Sequence, residues 1–267
     1  MGKLVKSLST ITLALMLIAF CVSVVYSQES DAKAKEIIEK AFNKYVDLMK
    51  KDGEGVKSVA AKLSLKGGGQ LPMGDDAMPL DLDVALEIYV ERPNNFYISI
   101  AGNLGNATII VSGEEKKTAT IMLTGTKQFA TLDVPEDAFG DQPADEGEPE
   151  EEPKIEELWE KSIVTYEGTE STKLGKAHKI VLKPKDPSEE GIVTVHILDG
   201  KWDPARLAFS KADEVNLVVE IEKLEVNAKI SDKQFVPNTE GYTGVTQDQL
   251  MMLVMMQVMG SMGGGAQ

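Results

Sequence analysis

The chain has 267 residues, with 28 Lys and Arg against 43 Asp and Glu, a net charge of −15. This balance excludes nucleic-acid binding through phosphates and electrostatic docking on an anionic lipid surface, since both need clustered cations. One Cys and two His leave little material for a Cys/His metal centre. The length suits one large domain or two small ones.

Residues 1–27 read as a secretory signal. Lys3 and Lys6 supply a positive start, and the stretch from Ser7 to Gln28 carries no charge. Val25-Tyr26-Ser27 offers small or aliphatic residues at the −3 and −1 positions, which predicts cleavage before Gln28. The rivals are an uncleaved anchor, for which the apolar run is short, and acylation of Cys21, for which Phe20 stands where a small residue belongs. The cleaved chain would have 240 residues, 26 basic and 43 acidic, and no cysteine. Its fold must then rest on its core rather than on disulfides.

The spacing of Ala34, Ile37, Ile38, Ala41, Phe42, Tyr45, Leu48 and Met49 predicts a helix over Ser30–Lys51 with one apolar face. Ser30 is the expected N-cap. The period then drops to two. Val59, Ala61, Leu63 and Leu65 alternate as a strand, and Gly67–Pro72 reads as a loop. Leu80, Leu82, Val84, Leu86, Ile88 and Val90 alternate without a break, opposite Asp81, Asp83, Ala85, Glu87 and Tyr89. That is a long antiparallel strand with one wet face. Further strands are expected at 96–101, 108–112, 118–123 and 128–132.

Segment 136–157 holds eleven acids, one Lys, three Pro and two Gly. It reads as a surface insertion. A calcium site is the sharper reading, but no EF-hand spacing is present. A helical turn near 155–162 follows, then strands at 163–167, 177–184, 192–198, 204–210 and 216–227, with a short one near Phe235. Many short strands with one apolar face predict a mainly β (α+β) fold, a curved antiparallel sheet or incomplete barrel with helices over its open side.

No nucleophile elbow, phosphate loop, dinucleotide fingerprint or zinc helix occurs in the sequence. His178 and His196 fall in strands and are expected to be surface residues rather than bases. No enzyme and no cofactor are expected. The C-terminus is unusual: Met251, Met252, Met255, Met256, Met259 and Met262 are half of the chain's twelve Met. Such a helix suits a core-packing or lid role on an apolar surface. Thioethers at spacings of three and four would also suit Cu(I), although no His or Cys lies nearby.

The segment Glu87-Ile88-Tyr89-Val90-Glu91-Arg92-Pro93-Asn94-Asn95-Phe96 resembles a strand of the LolA/LolB-like periplasmic lipoprotein carriers. Thr108–Gly113, Lys179–Lys185, and Val226-Asn227 with Ser231–Pro237 resemble other motifs of that family, in its order. The resemblance covers roughly residues 30–245. It implies an incomplete barrel around an apolar cavity for acyl chains, closed by helices. It also implies that Arg92 contacts the lid. The family's mid-chain lid position is taken here by the acidic segment 136–157.

These readings converge on an exported, non-enzymatic binding protein of the periplasm. Its expected organisation is a signal at 1–27, a half-barrel domain at 28–245 and a Met-rich helix with a Gly-rich tail at 246–267. The expected ligands are lipid or lipoprotein acyl chains. The cavity or lid residues would be Phe42, Leu82, Val84, Leu86, Ile88, Arg92, Met251, Met255 and Met259. An envelope interaction or regulatory module of the same fold is the alternative, with an envelope protein as partner and membrane contact transient at most. A Met-based Cu(I) binder is the third reading.

Overall fold

The structure, a computed structural model, describes residues 30–50, 56–73, 76–92, 95–103, 105–113, 117–134, 155–186, 191–211 and 215–263. The expected signal segment, nearly all of the acidic insertion and the tail beyond 263 lie outside these residues. The described chain is mainly β, with twelve strands and three α-helices. Its contacts divide it into two compact units, Met1–Lys51 with Pro135–Ala212, and Asp52–Val134 with Asp213–Gln267.

The first unit opens with helix α1 (Ala32–Lys50). Its N-cap is Asp31 rather than Ser30: the Asp31 Oδ1 accepts from the backbone N–H of Lys33 at 2.8 Å and of Ala34 at 3.4 Å. A carboxylate there satisfies orphan donors and complements the positive end of the helix dipole. Ser30 instead reaches the sheet, where its hydroxyl accepts from the Val164 N–H at 3.3 Å. Helix α2 (Ile155–Lys161) leads directly into β7 (Ser162–Thr172), followed by β8 (Gly175–Pro184), β9 (Ile192–Leu198) and β10 (Pro204–Lys211). These strands pair antiparallel in the order β10-β9-β8-β7. The apolar stripe of α1 (Ala34, Ile37, Ile38) packs with Leu158 of α2 on Val164, Ile180, Leu182, Val195 and Ile197. This is the predicted helix face meeting one face of a period-two sheet.

The second unit holds β1 (Ser58–Met73), β2 (Asp76–Glu91), β3 (Asn95–Gly102), β4 (Ala107–Ser112), β5 (Thr118–Leu123), β6 (Gln128–Asp133), β11 (Val215–Val226), a 3₁₀ turn (Asp232–Phe235), β12 (Thr243–Gly244) and helix α3 (Gln247–Gly263). The strand order is β12-β6-β5-β4-β3-β2-β1-β11. All pairings are antiparallel except that of β12, which runs parallel to β6.

Two expectations are corrected in this unit. Gly67–Pro72 is strand rather than loop: Gly67 pairs with both Leu82 and Leu217, and the ladder with β2 continues to Met73↔Asp76. The glycines allow a close approach, since a Cβ on Gly67 would lie 2.4 Å from the Asn216 carbonyl oxygen. The segment near Phe235 is a 3₁₀ turn, not a strand; it buries Phe235 and packs on β3 and β4. A register shift at Lys62/Leu63 marks a bulge in the β1–β11 ladder, a feature that bends a strand.

Gly102 is equally constrained. Its Cβ would fall 2.1 Å from the Asp83 carbonyl oxygen and 2.8 Å from the Val84 Cα, both backbone atoms. Gly102→Ala is therefore expected to cost about 1–3 kcal/mol through overpacking. A lowered urea midpoint checks this, and an unchanged midpoint contradicts it.

Candidate functional site

In the second unit the period-two pattern is carried from strand to strand in register. Val59, Ala61, Leu63 and Leu65 of β1 pair with Val90, Ile88, Leu86 and Val84 of β2. Ile88 and Leu86 pair in turn with Ile98 and Ile100 of β3, and these with Ile109 and Ala107 of β4. Ile109 meets Ile121 of β5, which meets Ala130 of β6. Cross-strand partners share a face, so the aliphatics form one continuous apolar surface. Ala61, Leu63, Val84 and Ile88 are buried, whereas Leu86, Val90, Phe96, Ile98, Ile100 and Ile109 are half-buried.

Helix α3 lies on this surface. Leu250, 1% exposed, packs with Leu123 and Ala130, and Leu253, Val254 and Val245 add to the cluster. Thr246 caps the helix: its Oγ1 accepts from the Gln249 N–H at 3.3 Å, while Gln249 Oε1 accepts from the Thr246 N–H at 3.0 Å. This reciprocal capping fixes where the helix starts.

On β1 and β2 the opposite face is polar, whereas on β4 and β5 it buries Ile110 and Met122. Lys62 pairs with Glu87 at 2.7 Å, and the Tyr89 hydroxyl donates to Glu87 at 2.5 Å. Tyr89 and Tyr97 rings pack 5.6 Å apart. The bond to Glu87, together with burial, pushes the Tyr89 phenol up to about 12. Burial alone would raise the Glu87 carboxyl, but the Lys62 and Tyr89 bonds outweigh it and hold it below the usual carboxylate range. The wet and apolar faces expected from 80–90 are therefore real.

The residues singled out by sequence separate into groups. Leu82, Val84, Leu86 and Ile88 all lie on β2; Val84, Leu86 and Ile88 sit within the apolar face. Arg92 is exposed just beyond β2, with its backbone N–H bonded to the Lys57 carbonyl at 2.8 Å. Phe42 is half-buried on α1 of the first unit. Met251 and Met255 are 49% and 61% exposed; the side chain of Met259 lies outside the described residues. The packing side of α3 is thus Leu250, Leu253 and Val254. Sequence reasoning missed Ile98, Ile100 and Ile109 as members of the site, although their alternation was visible.

The first unit carries the two histidines, and both are buried rather than on the surface, at 9% and 3% exposure. His178 has Tyr166 Oη 3.3 Å from Nδ1 and Asp199 Oδ1 3.2 Å from Nε2, and its ring stacks on Trp202. Trp202 sits at φ 60, a left-handed conformation that costs a non-glycine residue, within the tight turn joining β9 to β10. Lys33 lies 4.0 Å above the Tyr166 ring and Lys40 4.8 Å above that of Trp202, so cation–π contacts help seat α1. Tyr45 and Lys44 both donate to Asp203; burial first, and the Asp203 bond second, push the Tyr45 phenol up. His196 Nε2 lies 3.1 Å from Glu170, which also binds Lys179 at 3.1 Å. These groups hold the unit together. A cleft elsewhere in the unit, lined by Leu182, Val193 and Phe209, is about 20 Å³, room for a single water.

Among the described residues no three His, Cys, Asp or Glu are grouped to hold a metal, and no helix is long and apolar enough to cross a membrane.

No protein-family model matches the sequence, and no curated protein sequence matches it. The chain is similar in structure to an uncharacterized conserved protein from Thermus thermophilus (11% identity, TM-score 0.40, 78% of this chain and 98% of that chain). It is similar to Pseudomonas aeruginosa MucB, solved in complex with MucA (12% identity, TM-score 0.38, 80% of this chain and 64% of that chain). It is also similar to a putative outer membrane lipoprotein-sorting protein domain from Vibrio parahaemolyticus (9% identity, TM-score 0.26, 76% of this chain and 96% of that chain).

The His196 and Lys179 bonds hold the Glu170 carboxyl below its ordinary range. A carboxyl lowered by folding stabilises above its unfolded value, and that contribution is lost as pH falls through the folded value. Glu170→Gln is therefore expected to lower Tm at pH 7, by a deficit that shrinks as the pH is lowered towards 3. Melts at the two pH values check this; an equal deficit at both contradicts it.

Proposed function

We propose that the chain is an exported, non-enzymatic binding protein that takes acyl chains of lipids or lipoproteins on the apolar face of the second unit, beneath and beside α3. The observation that carries this reading is the unbroken row of half-buried aliphatics across β2, β3 and β4. Acyl chains bind by area removed from water, at about 25 cal/mol per Å², and need an apolar lining rather than a reactive group. Side chains left between buried and exposed retain area that a ligand can still cover. Helix α3 meets this face through the Leu250 cluster over β4, β5 and β6 and also runs against β2, an arrangement that suits a cover over a ligand. The half-buried residues assigned to the face are Leu86, Ile98, Ile100 and Ile109, with the buried Ile88 as their neighbour. Export follows from the signal pattern of residues 1–27, which also suits a periplasmic address.

The test uses a fluorescent acyl probe on the full mature chain. Saturable binding, displaced by unlabelled palmitate, is expected. Ile98→Glu should weaken it at least tenfold, while Ser99→Glu, one residue on and facing the polar side, should leave it intact. Absence of displaceable binding in the parent chain, or equal effects of the two variants, overturns the acyl reading. Tight capture of an apolar peptide without palmitate competition would move the assignment to a protein partner on that face.

A further inference from the structure

Helix α3 has two unlike sides. At 100° per residue, Leu250, Leu253 and Val254 fall within an arc of about 100°, and this is the side that packs on the sheet. Met251, Met252, Met255 and Met256 fall within an arc of about 140° on the other side. They are 49%, 63%, 61% and 60% exposed. Core packing therefore explains none of the four. An apolar surface by itself would not explain them either, because Leu offers similar volume and helix propensity without sulfur. What the four positions share is the thioether.

The spacing suits a metal. Met251 with Met255 and Met252 with Met256 are i,i+4 pairs, and Met252 with Met255 is an i,i+3 pair. Such pairs have Cβ atoms about 5–6 Å apart. The three rotatable bonds of Met let sulfurs from adjacent turns converge on one ion. Thioethers select soft cations. No Lys, Arg or His occurs in residues 238–267, and the whole chain carries −15, so no neighbouring positive charge along this segment repels a cation. We propose that the Met251, Met252, Met255 and Met256 face of α3 is an all-thioether site for a soft monovalent cation, Cu(I) or its analogue Ag(I). Neutral ligands leave the bound ion its charge. The site is independent of the acyl reading, because it uses the side of the helix turned away from the sheet.

The test titrates Ag(I), which is stable in air, into the full mature chain by calorimetry in nitrate buffer. Binding in the micromolar range is expected. The variant carrying Met→Leu at all four positions should weaken it at least tenfold while still binding the acyl probe. Should that variant fold poorly, the parent chain labelled at Met methyl carbons supplies the second readout. Ag(I) should shift the methyls of Met251, Met252, Met255 and Met256 and leave those of Met73, Met78 and Met122 in place. Unchanged affinity in a folded Leu variant, or methyls of the four that do not move, overturns the site.

Discussion

Everything in the second unit depends on one constraint: a sheet whose aliphatics are segregated by period two must find cover for that face. Register carries the constraint across the sheet. Because Ile88 meets Ile98 and Ile98 meets Ile109, a slip of one residue in any strand would turn its whole apolar set to the wet side. The polar face fixes the same register from behind through Lys62, Glu87 and Tyr89. Cover comes from α3, anchored by Leu250 over Leu123 and Ala130. Leu250 is a single deeply buried side chain, and such a residue is worth about 1.5–3 kcal/mol when fully buried. The remainder of the face is left half-covered, and the proposed acyl binding would use that area.

The first unit solves the same problem differently. Its helix α1 brings a full apolar stripe, so the sheet face beneath Ala34, Ile37 and Ile38 is closed by the chain itself. Around that stripe, lysines of α1 lie on Tyr166 and Trp202 and join Asp203. The buried histidines are tied into this framework. Each has a carboxylate beside one ring nitrogen. Closed packing in one unit and a half-covered face in the other is the asymmetry from which the functional proposal grows.

Much of this was legible in the sequence because the signals were local. The 3-4 spacing of Ala34, Ile37 and Ile38 marked α1, and the unbroken alternation of 80–90 marked β2. What escaped notice depended on partners distant in the chain. Gly67–Gly69 look like a loop until β11 is laid against them, and at Gly67 the missing side chain is the reason the strands fit. Asp31 outcompetes Ser30 as cap because Ser30 is drawn to Val164, more than a hundred residues away. Residues 243–244 pair with β6 although two residues carry no periodicity. The histidines read as surface residues because polarity was visible and their partners Glu170 and Asp199 were not. The Met-rich helix was recognised, but Leu250, Leu253 and Val254 pack on the sheet while Met251, Met252, Met255 and Met256 are exposed.

The central claim is that an acyl chain lies on the β2–β4 face of the second unit. Its most direct measurement is paramagnetic broadening of Ile and Leu methyl signals by a doxyl-labelled fatty acid. The account predicts selective loss of the methyls of Leu86, Ile98, Ile100 and Ile109, reversed by unlabelled fatty acid, with those of Ile37, Ile38 and Ile180 in the first unit left sharp. Intact signals from the four, or broadening confined to the first unit, would contradict it.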